Sequence, residues 1–389
     1  MSCVLPFINM EARTDGTISV CCIMQDHAKK EDGTDYNLAN GDTITDVMNS
    51  QWLKDKQEAF NKGKQIEACN NCWKEEEAGI TSKRERENIY WQHTPHDKLV
   101  ALDLKLGNIC NSKCRICSSF ASSQWAAEEA RMDPLNKSKY TTFNKLGQWP
   151  QTNENFWSDI DQYLNNVKKL EFYGGEPLLI AKHFEILETC IEKDVAKNIT
   201  LSYNTNGSIY PTKHVELWKH FKHVELFFSL DDTFERFNYI RHPGNFEEVI
   251  NNLIKFKNLS LDKNNGNYTL GIFQTISVFN ILDLDELTKY AHDHLGIPIH
   301  YNMVFTPNHI SPKVLPKQVK EFISNKYKYH PEYIQRTLNF MNGEDYHRKY
   351  WRRFIQITKF SDKYRKESFP ETFPQLYELI KEDWDDGEV

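Results

Sequence analysis

Between residues 98 and 306 the hydrophobic period of the chain switches repeatedly, and this restricts its fold more than any other feature. Short runs of strand character (Leu99 to Leu106, Leu170 to Tyr173, Ile199 to Tyr203, Val224 to Leu230, Tyr268 to Val278, Ile299 to Phe305) alternate with segments of helical spacing. Phe156, Ile160, Tyr163, Leu164 and Val167 share a helical face, as do Phe184, Leu187 and Ile191. A short helix is expected after Pro211, and Phe246, Val249, Ile250, Leu253 and Ile254 recur at i, i+3, i+4, i+7 and i+8. Leu284, Leu287, Ala291 and Leu295 complete the series. Parallel neighbours need crossover connections and helices supply them, so the pattern predicts an α/β domain with a six-stranded parallel sheet. Periodicity is equally compatible with an open sheet and with a barrel.

The flanks read differently. The first ninety residues are polar, cysteine-bearing and weakly periodic, ending in the charged run Lys74 to Glu87, of which Lys83 to Glu87 reads as a solvated helix or linker. Residues 1–97 are therefore expected to form a small metal-stabilised module and a linker. After Pro307, charged helical patterns such as Tyr346 to Lys359 predict a helical extension over 307–389. With 389 residues and 39% hydrophobic content the chain is long enough for one large core or two to three modules. A formal charge of -7 lacks the electrostatic footprint of phosphate-backbone binding, so nucleic acid is not an expected partner. The greasiest stretches fall far short of the roughly 18 apolar residues of a membrane helix. The apolar run Cys3 to Ile8 is followed by Glu11 and Arg13 rather than a small-residue cleavage site, so a chain without a secretory signal, in a reducing cytoplasm, is expected.

In such a compartment nine cysteines are ligands, catalysts or core rather than disulfides. Cys190 stands alone on a predicted helix with Leu187 and Ile191 and reads as a packing residue. Cys110-Asn-Ser-Lys-Cys114-Arg-Ile-Cys117 follows the first strand directly, in a loop opened by Gly107. Three thiolates from one loop can hold three corners of a cubane iron-sulfur cluster and leave the fourth iron without a protein ligand. An open corner is a place for chemistry, as at a catalytic metal with a vacant position. A zinc ion would need a fourth protein ligand nearby, and no further Cys or His occurs in the loop or soon after it.

A C-x-x-x-C-x-x-C loop after the first strand of an α/β repeat resembles the radical S-adenosylmethionine (radical SAM) superfamily, with Ile116 replacing the aromatic residue usual before the last Cys. A second match ends the second strand, Glu171-Phe172-Tyr173-Gly174-Gly175-Glu176-Pro177. Glycines let main chain approach a ligand closely, and a glutamate accepts from an ammonium group. The resemblance implies that Gly174, Gly175 and Glu176 hold the amino end of the cofactor's methionine; the alternative is a plain strand-to-helix turn with Pro177 at its first position. It also implies cofactor contacts at Ser229, Asp231 and Asn280, with Arg241 reaching the cofactor carboxylate or a substrate. Thr205, Asn206 and Gly207 end the third strand in a turn that structure alone would explain, and Ser, Asp and Asn favour caps and turns anyway. All these positions lie at carboxyl ends of strands, where parallel β/α folds build their sites. The fold implied is a partial (β/α)6 barrel over 98–306, with the N-terminal cysteine-rich module and the C-terminal helical tail beside it.

Cys3, Gly16 with twelve residues between them, Cys21, and later Cys69-Asn-Asn-Cys72 offer four thiolates that suit tetrahedral zinc or a fully ligated 4Fe-4S cluster. Their spacing resembles the twitch and SPASM auxiliary-cluster domains of radical SAM enzymes, in the shortened twitch form and ahead of the barrel rather than after it. Cys21 and Cys22 compete for one place, and the Gly spacing favours Cys21. The activity implied is reductive cleavage of S-adenosylmethionine at a 4Fe-4S cluster held by Cys110, Cys114 and Cys117, giving a 5'-deoxyadenosyl radical that abstracts hydrogen from a substrate. A second, auxiliary 4Fe-4S cluster would be held by Cys3, Cys21, Cys69 and Cys72. An electron donor such as flavodoxin or ferredoxin is implied, together with a peptide or protein substrate, or in second place a carbohydrate-like or nucleotide-like molecule. No general base stands out, although Asp232, Glu235 and Tyr301 lie near strand ends. The rival class is a non-catalytic zinc or iron-sulfur protein for interaction or electron transfer; a mere electron relay would have no use for Gly174-Gly175-Glu176.

Overall fold

A computed structural model describes residues 2–77, 81–304 and 306–386, with Phe305 of the expected sixth strand outside them. The strands are β1 (Asn9–Ala12), β2 (Ile18–Ser19), β3 (Ala101–Leu104), β4 (Lys169–Phe172), β5 (Thr200–Thr205), β6 (His223–Ser229), β7 (Tyr268–Ile276) and β8 (Ile299–Met303). They form one sheet in the order β2-β1-β3-β4-β5-β6-β7-β8, parallel throughout except for the β1–β2 pair. The six strands read from the sequence are β3 to β8, neighbours in chain order, which is consistent with the expected partial barrel. β1 and β2 are additions at the leading edge.

The two faces of the sheet differ. In β6, Val224, Leu226 and Phe228 are buried, with Phe228 against Phe256 of the helix Phe246–Leu261. Glu225, Phe227 and Ser229 point the other way and are half-buried. Strand register lines up Glu11, Asp103, Glu171, Ser202 and Glu225 on one rung of that second face. Lysines interleave with these carboxylates: Lys105 pairs with Glu11, and Lys169 with Glu171 at 2.8 Å and Glu225 at 3.6 Å. Adjacent like charges would repel, and the lysines offset this. This face is thus polar and charge-paired, unlike the apolar face that packs on the helices.

The expected boundary at residue 97 has no gap in packing. β1 hydrogen-bonds to β3, and buried apolar side chains from Cys3 to Trp91 join the same cluster as those of the sheet. The run Lys83 to Glu87, expected as a solvated helix or linker, is helical within Lys83–Tyr90, and Lys74 to Glu77 belong to the helix Asn70–Glu77. Arg84 is only 4% exposed, because Glu76 pairs with it at 2.6 Å and the Trp73 ring lies under it at 5.1 Å. The C-terminal helices, among them Lys317–Lys326, Glu332–Met341, His347–Arg365 and Pro374–Asp385, build a second apolar cluster with Tyr239, Ile240, Val278, Phe279 and Leu284. They cover the loops that follow β6 and β7. Among the described residues no helix is long and apolar enough to cross a membrane.

Candidate metal centre and cofactor site

The chain leaves β3 through Gly107 into the cysteine loop. Asn108 is fully buried and its side-chain amide donates to the Ser119 carbonyl at 3.0 Å, while its own carbonyl accepts from the Ser123 N–H at 2.8 Å. The N–H groups of Lys113 and Arg115 donate to the carbonyls of His242 and Ile240, both at 2.7 Å, which stitches the loop to the segment after β6. Cys110, Cys114 and Cys117 are free thiols. Burial, then the neighbouring Cys114, pushes the Cys110 thiol up to about 12. Burial raises Cys117 further, with Cys114 and Cys110 both adding to the effect, so the three sulfurs feel one another. Burial also raises Cys114, against the opposing pull of Arg241, whose Nη1 lies 3.9 Å from the sulfur. Thiols in such a place keep their protons until cations replace them. Among the described residues no three His, Cys, Asp or Glu side chains converge as one metal ion requires. A cubane spreads its thiolates over separate irons, so three cysteines of one loop fit it without meeting at one point.

The turn after β4 packs directly on this loop. The Glu176 N–H donates to the Ile109 carbonyl at 2.8 Å, one residue before Cys110. Gly175 has φ +59°, and a Cβ there would come within 2.4 Å of the same carbonyl oxygen; at Gly174, φ +78°, it would meet Lys105 Cβ at 2.7 Å. Both glycines are therefore fixed by protein packing, whatever else they contact. Glu176 is fully buried and caps the turn. It accepts from the Leu178 N–H at 3.2 Å, the Thr205 hydroxyl at 2.8 Å and the Asn206 N–H at 2.7 Å. Burial pushes its carboxyl up to about 7 in spite of those donors. Thr205 and Asn206, a plain turn in sequence, are thus what holds Glu176. Asn206 also donates to Asn111 Oδ1 at 2.8 Å and, with Asn111, Ser112, Ser208, Arg241 and Glu248, borders a polar cleft beside the cysteine loop.

Asp231 and Asn280 are brought together by β6 and β7. Asn280 donates to the carbonyls of Asp231 and Thr275 at 2.7 and 2.9 Å, and its Oδ1 accepts from the Ser277 N–H at 2.8 Å. Asp231 accepts from the Thr275 N–H at 2.9 Å and from Arg241 Nε at 2.6 Å. Both side chains are buried and engaged within the protein, so they position Arg241. Ser229, half-buried at the end of β6, faces the polar side of the sheet. Asp232 is held by Arg236 at 3.0 Å and caps the following turn through the Thr233 N–H. Tyr301 stacks on Tyr333 of the C-terminal extension at 5.1 Å.

The N-terminal cysteines form a second set. Cys3, Cys21, Cys69 and Cys72 line one small cavity, walled otherwise by Leu5, Ile23, Met24, Phe60, Lys83 and Arg84. Burial pushes Cys3 and Cys69 up to about 12, and each feels Cys72. Cys22 points elsewhere. Lys83 Nζ lies 3.3 Å from its sulfur, and both feel Asp103 on the polar face of the sheet. The two cysteines lie in a turn after β2, closed by the Met24 N–H on the Cys21 carbonyl at 3.3 Å. Cys190 is fully buried on the helix Ala181–Glu192.

Two groups carried no signal in the sequence. Asp103, 0% exposed, accepts from the Tyr173 hydroxyl and lies beside Glu11; burial, then that carboxylate, pushes it up to about 8. Around the cysteine loop, Arg115 pairs with Asp362 at 2.5 Å and Glu367 at 2.6 Å and covers the Tyr239 ring at 3.6 Å. Glu128 pairs with Lys113 and Arg365, both at 3.0 Å. These partners come from sequence separations of up to 252 residues, beyond any local pattern.

Residues 104–284 match the family described as Radical SAM superfamily. The chain is 27% identical over 245 residues to a protein named probable GTP 3',8-cyclase of Methanocaldococcus jannaschii, an alignment covering 59% of this chain and 72% of that one. Among solved structures it is similar to anSMEcpe with bound AdoMet and a Cp18Cys peptide, at 18% identity and TM-score 0.38, over 58% of this chain and 57% of the other. It is also similar to Streptococcus suis SuiB bound to the precursor peptide SuiA, at 14% identity and TM-score 0.36, over 67% of this chain and 59% of the other. The chain thus spans under two thirds of the length of both solved chains.

Proposed function

We propose that this chain, an enzyme carrying a radical SAM domain over residues 104–284, binds a 4Fe-4S cluster at Cys110, Cys114 and Cys117 and S-adenosylmethionine beside it. The observation that carries the reading is the seating of the cysteine loop on the Gly174-Gly175-Glu176 turn through the Ile109 carbonyl, at the carboxyl ends of two adjacent parallel strands. When bound, the reduced cluster supplies reductive cleavage of the sulfonium to a 5'-deoxyadenosyl radical that abstracts hydrogen from substrate. The chain's own residues bind and orient. Glu176, held by three donors, offers a carboxyl to an ammonium group, and Arg241, braced by Asp231 and Asn280, offers a cation next to Cys114.

The four-thiol cavity of Cys3, Cys21, Cys69 and Cys72 supports a second, auxiliary cluster of the twitch kind, with Cys21 rather than Cys22 as its ligand. That resemblance favours a peptide or protein as substrate and modification of it as the reaction. An electron donor such as flavodoxin or ferredoxin, and a cytoplasmic setting, go with the same reading. The curated relative favours a second reading, a nucleotide-like small molecule. The test is release of 5'-deoxyadenosine from S-adenosylmethionine by anaerobically reconstituted protein with dithionite. Release by wild type and none from a Cys110, Cys114, Cys117 triple Ala variant is expected. Equal release by both proteins, or none from either, overturns the proposal.

A further inference from the structure

Arg365 ends the helix His347–Arg365, in the C-terminal extension and outside the matched domain. Its side chain is 0% exposed. Nε donates to both oxygens of Glu128 at 3.0 Å, yet Nη1 and Nη2 are buried with no hydrogen-bond partner among the described residues. A guanidinium buried with its fork unpaired is costly, because its donors have left water and gained nothing. Glu128 does not satisfy it alone. That carboxylate also serves Lys113 at 3.0 Å and Ser361 at 2.9 Å. Arg115, the next cation, is taken by Asp362 and Glu367.

The unpaired fork lies against Trp125, which is itself bonded to the cysteine loop. Arg365 sits over the Trp125 ring at 4.6 Å, and the Trp125 indole N–H donates to the Cys114 carbonyl at 2.9 Å. Arg241, from the segment after β6, reaches the same residue from another side, its Nη1 3.9 Å from the Cys114 sulfur. Resting on the reading that this loop holds a cluster, we propose that Arg365 is a binding residue of that centre, its free fork donating to the anionic sulfur groups there. The C-terminal extension is then part of the metal site rather than a cover for the loops.

A positive charge and N–H donors near cluster sulfurs favour the reduced form. The test is the midpoint potential of the Cys110, Cys114, Cys117 cluster, followed by electron paramagnetic resonance in reconstituted full-length protein. It uses wild type, Arg365→Gln, Arg365→Lys and Glu128→Gln, with iron content measured alongside. Arg365→Gln is expected to shift the potential negative and Arg365→Lys to restore most of the shift. Glu128→Gln, which deletes the opposing charge, is expected to shift it positive, and this arm stands even where Arg365→Gln fails to fold. A structural role alone gives no such pair of opposite signs. Wild-type potential in the folded variants, or shifts of one sign in all of them, overturns the inference. Absence of loop-bound iron from wild type overturns the proposed function itself, a separate outcome.

Discussion

An alanine at position 175 would set its Cβ 2.4 Å from the Ile109 carbonyl oxygen at φ +59°, where β-carbons are strained even in open space. Gly175→Ala is expected to cost about 2 kcal/mol or more, read as a lower unfolding midpoint, and to reduce iron retention because Cys110 is the next residue. Asp103 gives a pH signature. Its carboxyl stands at about 8 against the ordinary 3.8, so between those values the folded chain keeps a proton that the unfolded chain has released. Raising the pH through that window therefore destabilises the fold, by about 1.4 kcal/mol per pH unit from this group. Asp103→Asn mimics the neutral acid and removes that slope. Its unfolding midpoint should exceed the wild-type value at about pH 8 and approach it at about pH 4; a constant difference across the range contradicts the assignment. At the same scale, Cys21→Ala should lose the auxiliary iron while Cys22→Ala keeps it, since only Cys21 lines the four-thiol cavity.

The elements were legible unevenly. β3 to β8 appear as period changes because each alternates or runs apolar between helices. β1 does not: Asn-Met-Glu-Ala alternates polar and apolar over four residues only, and its two polar members are buried beside β3. The charged helix Lys83–Tyr90 reads as solvated because its partners, Glu76, Trp73 and Cys22, lie outside any helical period. The cysteine loop and the Gly-Gly-Glu turn are visible because their chemistry sits in consecutive residues. Their mutual contact, and the hold of Thr205 and Asn206 on Glu176, arise only when β3, β4 and β5 pair. Arg115 illustrates the energetic weight of such contacts. Arg115→Ala leaves Asp362 and Glu367 facing each other without their cation, and breaking a buried pair of this kind costs about 3–5 kcal/mol. The expected readout is a large drop in unfolding midpoint, and a change near zero contradicts the clamp.

For the whole molecule, the three expected segments pack as a continuous body. The N-terminal residues extend the sheet, and the C-terminal helices share an apolar cluster with residues that follow β6 and β7. A chain truncated after residue 306 is expected to expose Val278, Phe279 and Leu284 and to lose cooperative unfolding. A truncated protein that stays soluble and unfolds in one sharp transition would show the extension to be dispensable. The central claim is that two separate cysteine sets hold two clusters. It is tested most directly by iron per chain after anaerobic reconstitution of wild type, the Cys110, Cys114, Cys117 triple Ala variant and a Cys3, Cys21, Cys69, Cys72 quadruple Ala variant. About eight iron in wild type and about four in each folded variant is the predicted result. Zinc in place of iron, or iron that neither set of substitutions lowers, would contradict it.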